Sequence, residues 1–461
     1  VKVGVYMRIV LLSGGSGKRL WPLSNDARSK QFLKVLKNEN GKMESMVQRV
    51  WRQLRKVNLA DEAIVTTSSS QVEMLHTQLG SNIPVVVEPE RKDTFPAIAL
   101  AAVYLYSVER CSLDEVIGVL PVDPFVEDHF FETVTELERA LDESDADLAL
   151  LGVTPTYPAE KYGYIVPESG MPANFIKVSK FCEKPNETAA KKLIHQRALW
   201  NCGVFSFRLG YIIQLLKCKN IPVEYGALLK YYSQLKSNSF DYEVVEKATN
   251  IIAIPYSGYW KDLGTWNTLT DEMKTPVIGN GVISNDVMKS CIVNELDIPI
   301  ILIGVEDIVV AASPDGLLVT DKKSSHKIKE YVSHFQDGPM YEEYWWGWSR
   351  VLEYSKKEIG TETLTEKVHL TAGRNLHDQG QGDREVWTVT AGEGTLVLND
   401  EFSKVGTGTT LTIPAGKTYS WKAGSDMELI VIRSGEHLME HRRKNSRLDV
   451  ALKKPVYSKY S

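Results

Sequence analysis

Between residues 7 and 123, unbroken apolar runs alternate with segments whose apolar residues recur every three or four positions. "MRIVLLS" at 7–13, "EAIVTT" at 62–67, "IPVVVEP" at 83–89 and "EVIGVLPVD" at 115–123 read as buried strands. Met46, Val47, Val50, Trp51 and Leu54 give 44–57 a helical spacing, and "QVEMLHTQL" at 71–79 reads as a second helix. "PAIALAAVYLYSV" at 96–108 is a third, with its proline near the start, where proline is tolerated. Apolar strands alternating with helices predict a parallel α/β sheet covered on both faces.

After about residue 150 the pattern turns to mixed α+β, and over 276–330 to short β-rich pieces such as "SCIVN", "IPIILIGV" and "GLLVTD". A charged stretch, "KKSSHKIKEYVSH", leads to an aromatic cluster at Trp345, Trp346 and Trp348. From about Thr363 apolar and polar residues alternate with glycines at the turns, which predicts a small antiparallel barrel or jelly roll. The tail after His437 carries "HRRKNSRLDVALKK", a solvated basic helix, a frayed end or a functional arm. The expected divisions are 7–275, 276–335, 336–440 and a basic tail 441–461; residues 1–6 are left out of the fold argument.

With 461 residues, 43% of them hydrophobic and 25% charged, the chain has material for two or three domains. A net charge of −5 argues against a nucleic-acid partner. The five cysteines are odd in number and none has CxxC spacing, so neither a disulfide framework nor a zinc site is expected, and a reducing cytoplasm is. No apolar run approaches the roughly 18 residues of a membrane span. The first apolar segment leads into a glycine loop rather than a cleavage site, so a signal peptide is not expected.

That loop, within "LLSGGSGKRLWPLS" at 11–24, carries the first chemistry. It is neither GxxxxGK[ST] nor GxGxxG. Glycines nonetheless let backbone N–H groups converge on an anion, and Lys18 and Arg19 supply charge. A plain strand-to-helix turn is the competing reading.

The residues that follow are more specific. "GGSGKRLWPLSNDARSKQFLKV" resembles the signature of the sugar-nucleotide pyrophosphorylases, in the form found in mannose-1-phosphate guanylyltransferases. The resemblance continues in order through "EPERKDTFPAIALAA", "LPVDPFVED", "YGYI", "FCEKP", "WNCGVFSF", "FDYEVVEK" and "WKDLGTW". It implies a Rossmann-like nucleotidyltransferase domain with a mixed sheet. It also implies transfer of a nucleotidyl group from GTP to mannose-1-phosphate with release of pyrophosphate, assisted by Mg²⁺, in a homo-oligomer such as a dimer.

By the same resemblance Gly14, Gly15, Gly17 and Arg19 cradle the triphosphate, with Leu12, Lys18, Glu88, Asp93 and Thr94 at the nucleotide. Lys30 reaches the phosphate at the reacting centre. Asp123, just past a strand end, pairs with Asp262 as metal ligands. Gly163, Glu183, Lys184 and Asn201 form the sugar-phosphate site. Each has a plainer reading: a lone Asp after a strand caps a turn, "EKP" is a surface turn, and Trp200, Trp260 and Trp266 are core packing. Departures from the family pattern at Lys18, Ser29, Asp93 and "PVDPF" leave the base open. Guanine offers an N1–H and an amino group, which a carboxylate such as Glu88 or Asp93 could accept.

The C-terminal segment resembles the cupin barrel of bifunctional relatives that isomerise mannose-6-phosphate. "AGRNLHDQGQGDREVWTVTAGEGTLVL" matches its first motif and "LTIPAGKTYSW" its second. Where the metal-binding histidines should stand the chain has Gly380, Gln381 and Gly382, Tyr419 takes the place of the last histidine, and His377 falls early. Only Glu385 remains, so a structural barrel without metal is expected, with Trp387, Val389, Leu396, Val397 and Leu398 as apolar surface and Trp345–Trp348 docking it on the preceding segment. A transferase for another pair, such as glucose-1-phosphate with UTP or dTTP, and an inactive sugar-nucleotide sensor stay open as alternatives.

Overall fold

A computed structural model of the chain describes residues 7–15, 18–25, 28–168, 175–332, 334, 338–357, 360–379, 384–440 and 442. Gly17, Gly380, Gln381, Gly382 and nearly all of the basic tail lie outside the described residues, as does the side chain of Lys18. The chain divides into two compact units.

The first unit draws on Val1–Gly15, Asn38–Ser69 and Asn82–Leu263. Its centre is a nine-stranded mixed sheet. In spatial order the strands are Val85–Glu88, Ala63–Ser68, Arg8–Leu12, Val116–Pro121, Leu199–Arg208, Leu148–Val153, Ile251–Tyr256, Ile176–Cys182 and Tyr164–Pro167. The first four run parallel, as their unbroken apolar runs predict. Leu199–Arg208 then pairs antiparallel with Val116–Pro121 and with Leu148–Val153, which makes the sheet mixed. Val10 joins the cluster under the helix Thr94–Ser107, while its neighbours Ile9 and Leu11 are buried on the opposite face. On leaving Arg8–Leu12 the chain builds strands to one side, then returns to place Val116–Pro121 on the other. That reversal marks the carboxyl ends of these two strands, the place where open α/β sheets bind ligands.

The second unit draws on Ser16–Lys37, Ser70–Ser81 and Gly264–Ser461. The units therefore do not follow linear boundaries, because the segment after the glycine loop clusters with the C-terminal part of the chain. Short strands between Val277 and Asp321 form a four-stranded and a two-stranded sheet over Ile292, Leu302 and Val310. Beyond them, a six-stranded and a four-stranded antiparallel sheet make the cupin-like barrel. Trp387, Val389 and Leu396 are buried in its core, whereas Val397 and Leu398 are half-buried.

One expectation needs correction. Trp346 does not dock the barrel on the preceding segment; it lies in the barrel's own core with Val368, Leu370 and Trp387. It sits at the turn between the strands Tyr341–Tyr344 and Gly347–Lys356, which belong to the six-stranded sheet, and stacks on Tyr344 at 4.6 Å. Trp348 stacks on His369 at 5.4 Å.

Candidate active site

The candidate site gathers residues that leave paired strands. Leu12 pairs with Pro121, and Val122 N–H donates to Leu12 C=O at 3.3 Å, so Gly14 and Asp123 emerge from neighbouring strands. A Cβ on Gly14 would lie 2.9 Å from Glu88 Oε1, so the glycine lets the backbone lie against that carboxyl. Glu88 itself is buried. Burial pushes its pKa up to about 7, against the opposing effect of the Tyr232 hydroxyl, which donates to Oε2 at 2.9 Å. Gly15 is exposed and Leu12 half-buried.

Asp93 has a left-handed backbone, φ +71°, and accepts from Thr94 N–H at 2.7 Å, so it caps the helix Thr94–Ser107. Thr94 Oγ1 accepts from Phe240 N–H at 2.8 Å and ties this helix to the turn Phe240–Glu243. The cap Asp93 remains exposed.

The two candidate metal ligands are brought together by a short antiparallel ribbon. Pro124–Val126 pairs with Trp260–Asp262 in a register that sets Asp262 opposite Pro124, one residue from Asp123. Both aspartates are half-buried. Two carboxylates at one ribbon end offer hard oxygen donors, which suits a divalent cation that takes its other ligands from phosphate and water. No group of three or more His, Cys, Asp or Glu that could hold a metal ion gathers among the described residues, here or elsewhere.

Gly163, Glu183, Lys184 and Asn201 also come together. A Cβ on Gly163 would fall 2.5 Å from Glu183 Oε2 and 3.3 Å from Asn201 Cβ. The Glu183 side chain is 5% exposed; Oε1 meets Lys184 Nζ at 2.7 Å, and Oε2 is buried without a hydrogen-bond partner. Lys184 is held in a left-handed conformation, φ +45°, with its ammonium 6.0 Å from the centre of the Tyr242 ring. A buried carboxylate oxygen with no donor is costly, and a sugar hydroxyl is a donor of the right kind.

Asp241 was missed by sequence reasoning. Asn201 Nδ2 donates to its Oδ1 at 2.6 Å, and burial followed by the charge of Glu183 pushes its pKa up to about 6. Glu246 Oε1 likewise accepts from Glu183 N–H at 3.3 Å. Both lie in "FDYEVVEK", whose match to the family gave a signal without a role. Trp200 is buried, as the packing reading has it, whereas Trp260 is half-buried. Tyr162 lies between them, 5.1 Å from each ring, and its hydroxyl pKa is raised by burial and by the charge of Asp262. Both indole N–H groups are buried without partners. Trp266 is fully buried and fits the packing reading.

Arg19 and Lys30 belong to the second unit. Arg19 is exposed in the 3-10 turn Lys18–Leu20, and Lys30 is half-buried at the start of the turn Lys30–Phe32. Next to it Ser29 Oγ accepts from Gln71 Nε2 at 2.6 Å.

In the barrel, the carboxylate that a metal would need is already engaged. Glu385 Oε1 accepts from Arg433 Nε at 3.0 Å, and Oε2 from Tyr419 OH at 3.0 Å and Trp387 Nε1 at 2.9 Å. His377 is exposed beside buried Leu376, so it faces outward. This donor set does not fit a transition metal.

Residues 8–276 match the family model described as nucleotidyl transferase, and 283–335 that of a MannoseP isomerase/GMP-like beta-helix domain. The chain is 29% identical to the xanthan biosynthesis protein XanB of Xanthomonas campestris pv. campestris (strain B100), covering 94% of this chain and 96% of that one. It is 28% identical to a mannose-1-phosphate guanylyltransferase of Salmonella muenchen, over 94% and 96%. Among solved structures it is similar to one described as mannose-1-phosphate geranyltransferase from Thermus thermophilus. There the identity is 26% and the TM-score 0.61, over 72% of this chain and 99% of that one.

Proposed function

This chain belongs to the nucleotidyl transferase family, and from that premise we propose that it makes GDP-mannose from GTP and mannose-1-phosphate. A phosphate oxygen of the sugar phosphate attacks the α-phosphorus in line. A P–O bond forms there, the bond to the β-phosphate breaks, and pyrophosphate leaves. No protein nucleophile is required, so the residues act by positioning and charge neutralisation.

Gly163, Glu183, Asn201 and Lys184 form the sugar-phosphate site, with Glu183 and Asn201 at the hydroxyls and Lys184 at the phosphate. The carrying observation is the buried, donor-less Oε2 of Glu183 in a cradle that only a glycine leaves open. Leu12, Gly14, Gly15, Gly17 and Lys18 border the triphosphate, and Glu88, Asp93 and Thr94 the base. Arg19 offsets charge on the β- and γ-phosphates and Lys30 charge at the reacting phosphate. Asp123 and Asp262 would hold a divalent cation, Mg²⁺ in this reading, which supplies charge neutralisation on phosphate oxygens when bound.

The chain works in the cytoplasm; the free thiols of Cys111, Cys182, Cys202, Cys218 and Cys291 support a reducing compartment. It works as a homo-oligomer, a reading supported by Val282, Ile298, Ile301 and Ile303, each more than half exposed on one β-rich segment. No helix among the described residues is long and apolar enough to cross a membrane. Pyrophosphate release from a panel of NTPs crossed with sugar-1-phosphates tests the proposal. GTP with mannose-1-phosphate should give the highest kcat/KM, and a clear preference for another pair would reassign the substrates.

A further inference from the structure

The segment that carries Arg19 and Lys30 is fastened, within the second unit, to Trp266 and to the β-rich segment by hydrogen bonds and an ion pair. Trp266 Nε1 donates to Trp21 C=O at 3.1 Å and Ser313 Oγ to Pro22 C=O at 2.6 Å, which engages two successive carbonyls of the loop. Gly316 has no room for a Cβ, which would lie 2.6 Å from Trp21 Cζ2. Asn25 Nδ2 donates to Asp315 Oδ2 at 2.7 Å, while Asp315 Oδ1 accepts from Met340 N–H at 2.6 Å. Asn25 also closes a turn with Arg28, accepting from its N–H at 2.7 Å and donating to its C=O at 2.9 Å.

Arg28 completes the fastening. Its guanidinium grips Glu295 with both Nη atoms, at 2.8 and 2.5 Å, and lies 5.5 Å over the Tyr341 ring. Arg28 is buried, at 8% exposure. A partly buried bidentate pair is geometrically exacting, so it fixes its backbone more firmly than a surface pair would. Two residues later comes Lys30, and nine residues earlier Arg19.

We propose that Glu295 and Asp315 are positioning residues for the transferase: through Arg28 and Asn25 they fix the loop that presents Arg19 and Lys30 to the triphosphate. This rests on the functional reading above. It gives the β-rich segment a part in the reaction, since a phosphate-transfer centre depends on cations held to within a fraction of an ångström.

The test compares Glu295→Gln, Glu295→Asp, Arg28→Lys and Asp315→Asn with the wild type in the full chain. Four quantities are read: melting temperature, hydrogen exchange along the chain, affinity for Mg²⁺-GTP by calorimetry, and steady-state kinetics. In Glu295→Gln, exchange should rise in 18–37 but not in the strand Ile308–Ser313. KM for the nucleotide should rise about tenfold and kcat fall by a similar factor, with KM for the sugar phosphate within about twofold. Glu295→Asp, which keeps the charge, should recover part of the loss, and Asp315→Asn should repeat the pattern. Unchanged exchange and nucleotide affinity would overturn the proposal. So would exchange rising throughout the second unit with equal effects on both substrates, which marks a merely structural role. A wild type that binds Mg²⁺-GTP but transfers nothing would sink the functional reading instead. In that case a tenfold loss of Mg²⁺-GTP affinity in Glu295→Gln still supports the proposal, and unchanged affinity overturns it.

Discussion

Among single residues, Asp123 and Asp262 carry the sharpest expectation, because the ribbon register puts them at one end of a two-stranded pair. Asp123→Asn or Asp262→Asn should lower kcat at least about a hundredfold while the far-UV spectrum and melting temperature stay near wild type. Titrating Mg²⁺ against each variant measures it, and near-normal rates in both would remove the metal assignment. Asp241 makes a different claim. Its carboxyl sits at about 6 rather than 3.8, raised by burial and then by Glu183. A raised acid gives its full stabilising share below its unfolded value and loses it as pH climbs through the folded value. Asp241→Asn should therefore be more stable than wild type at pH 8 by about 2–3 kcal/mol, with the gain gone near pH 4. Denaturant melts at the two pH values read this directly; a gain of equal size at both would mean that the carboxyl is not destabilised by ionising. Glu183 and Asn201 were legible in the sequence because their motifs carry a chemical role. Asp241 was not, since its importance comes from burial beside another carboxylate, which only the fold creates.

At the scale of elements, Gly163 stands just before the strand Tyr164–Pro167, and Asn201 N–H donates to its carbonyl at 2.8 Å. Its missing side chain is what admits Glu183. Gly163→Ala would set a Cβ 2.7 Å from Phe181 Cζ as well as against the Glu183 carboxyl, so the acid must move. KM for the sugar phosphate should rise at least about tenfold with nucleotide KM within about twofold, at a stability cost of about 1–3 kcal/mol. Equal effects on both substrates would displace the sugar site from this strand. The parallel strands could be read from sequence because a strand buried on both faces is apolar without interruption. The ribbon Pro124–Val126 with Trp260–Asp262 could not. Its two halves are separated by well over a hundred residues, and neither alone is long enough to show a period. The same limit hid the strand order, because the antiparallel return of Leu199–Arg208 is a choice among partners and leaves no local trace.

Across the whole molecule, the barrel is marked by a chain of charges buried in its interior. Glu385 is buried there, and Arg433 supplies the positive charge beside it. Arg433 binds Glu385 on one side and Glu366 on the other, while Arg442 meets Glu366 at 2.8 Å and Glu342 at 3.0 Å. From sequence, Glu385 could be read as an orphaned ligand; its partner Arg433 lies 48 positions away and belongs to no motif. A buried chain of alternating charge is satisfied only as a set, and removing one member leaves others desolvated without compensation. Glu385→Ala should thus cost about 3–5 kcal/mol, whereas the double variant Glu385→Leu, Arg433→Met should recover much of that, because apolar groups of similar volume need no partner. Transferase activity, measured below the melting point of each variant, should stay within about threefold of wild type, since Arg433, Tyr419 and Trp387, which hydrogen-bond Glu385, all belong to the barrel. The purified chain should neither hold a stoichiometric transition metal nor interconvert mannose-6-phosphate and fructose-6-phosphate. A bound metal that leaves with Glu385→Gln, together with isomerase activity that leaves with it, would return the barrel to catalysis and make the Arg433 pair a resting arrangement that the metal displaces.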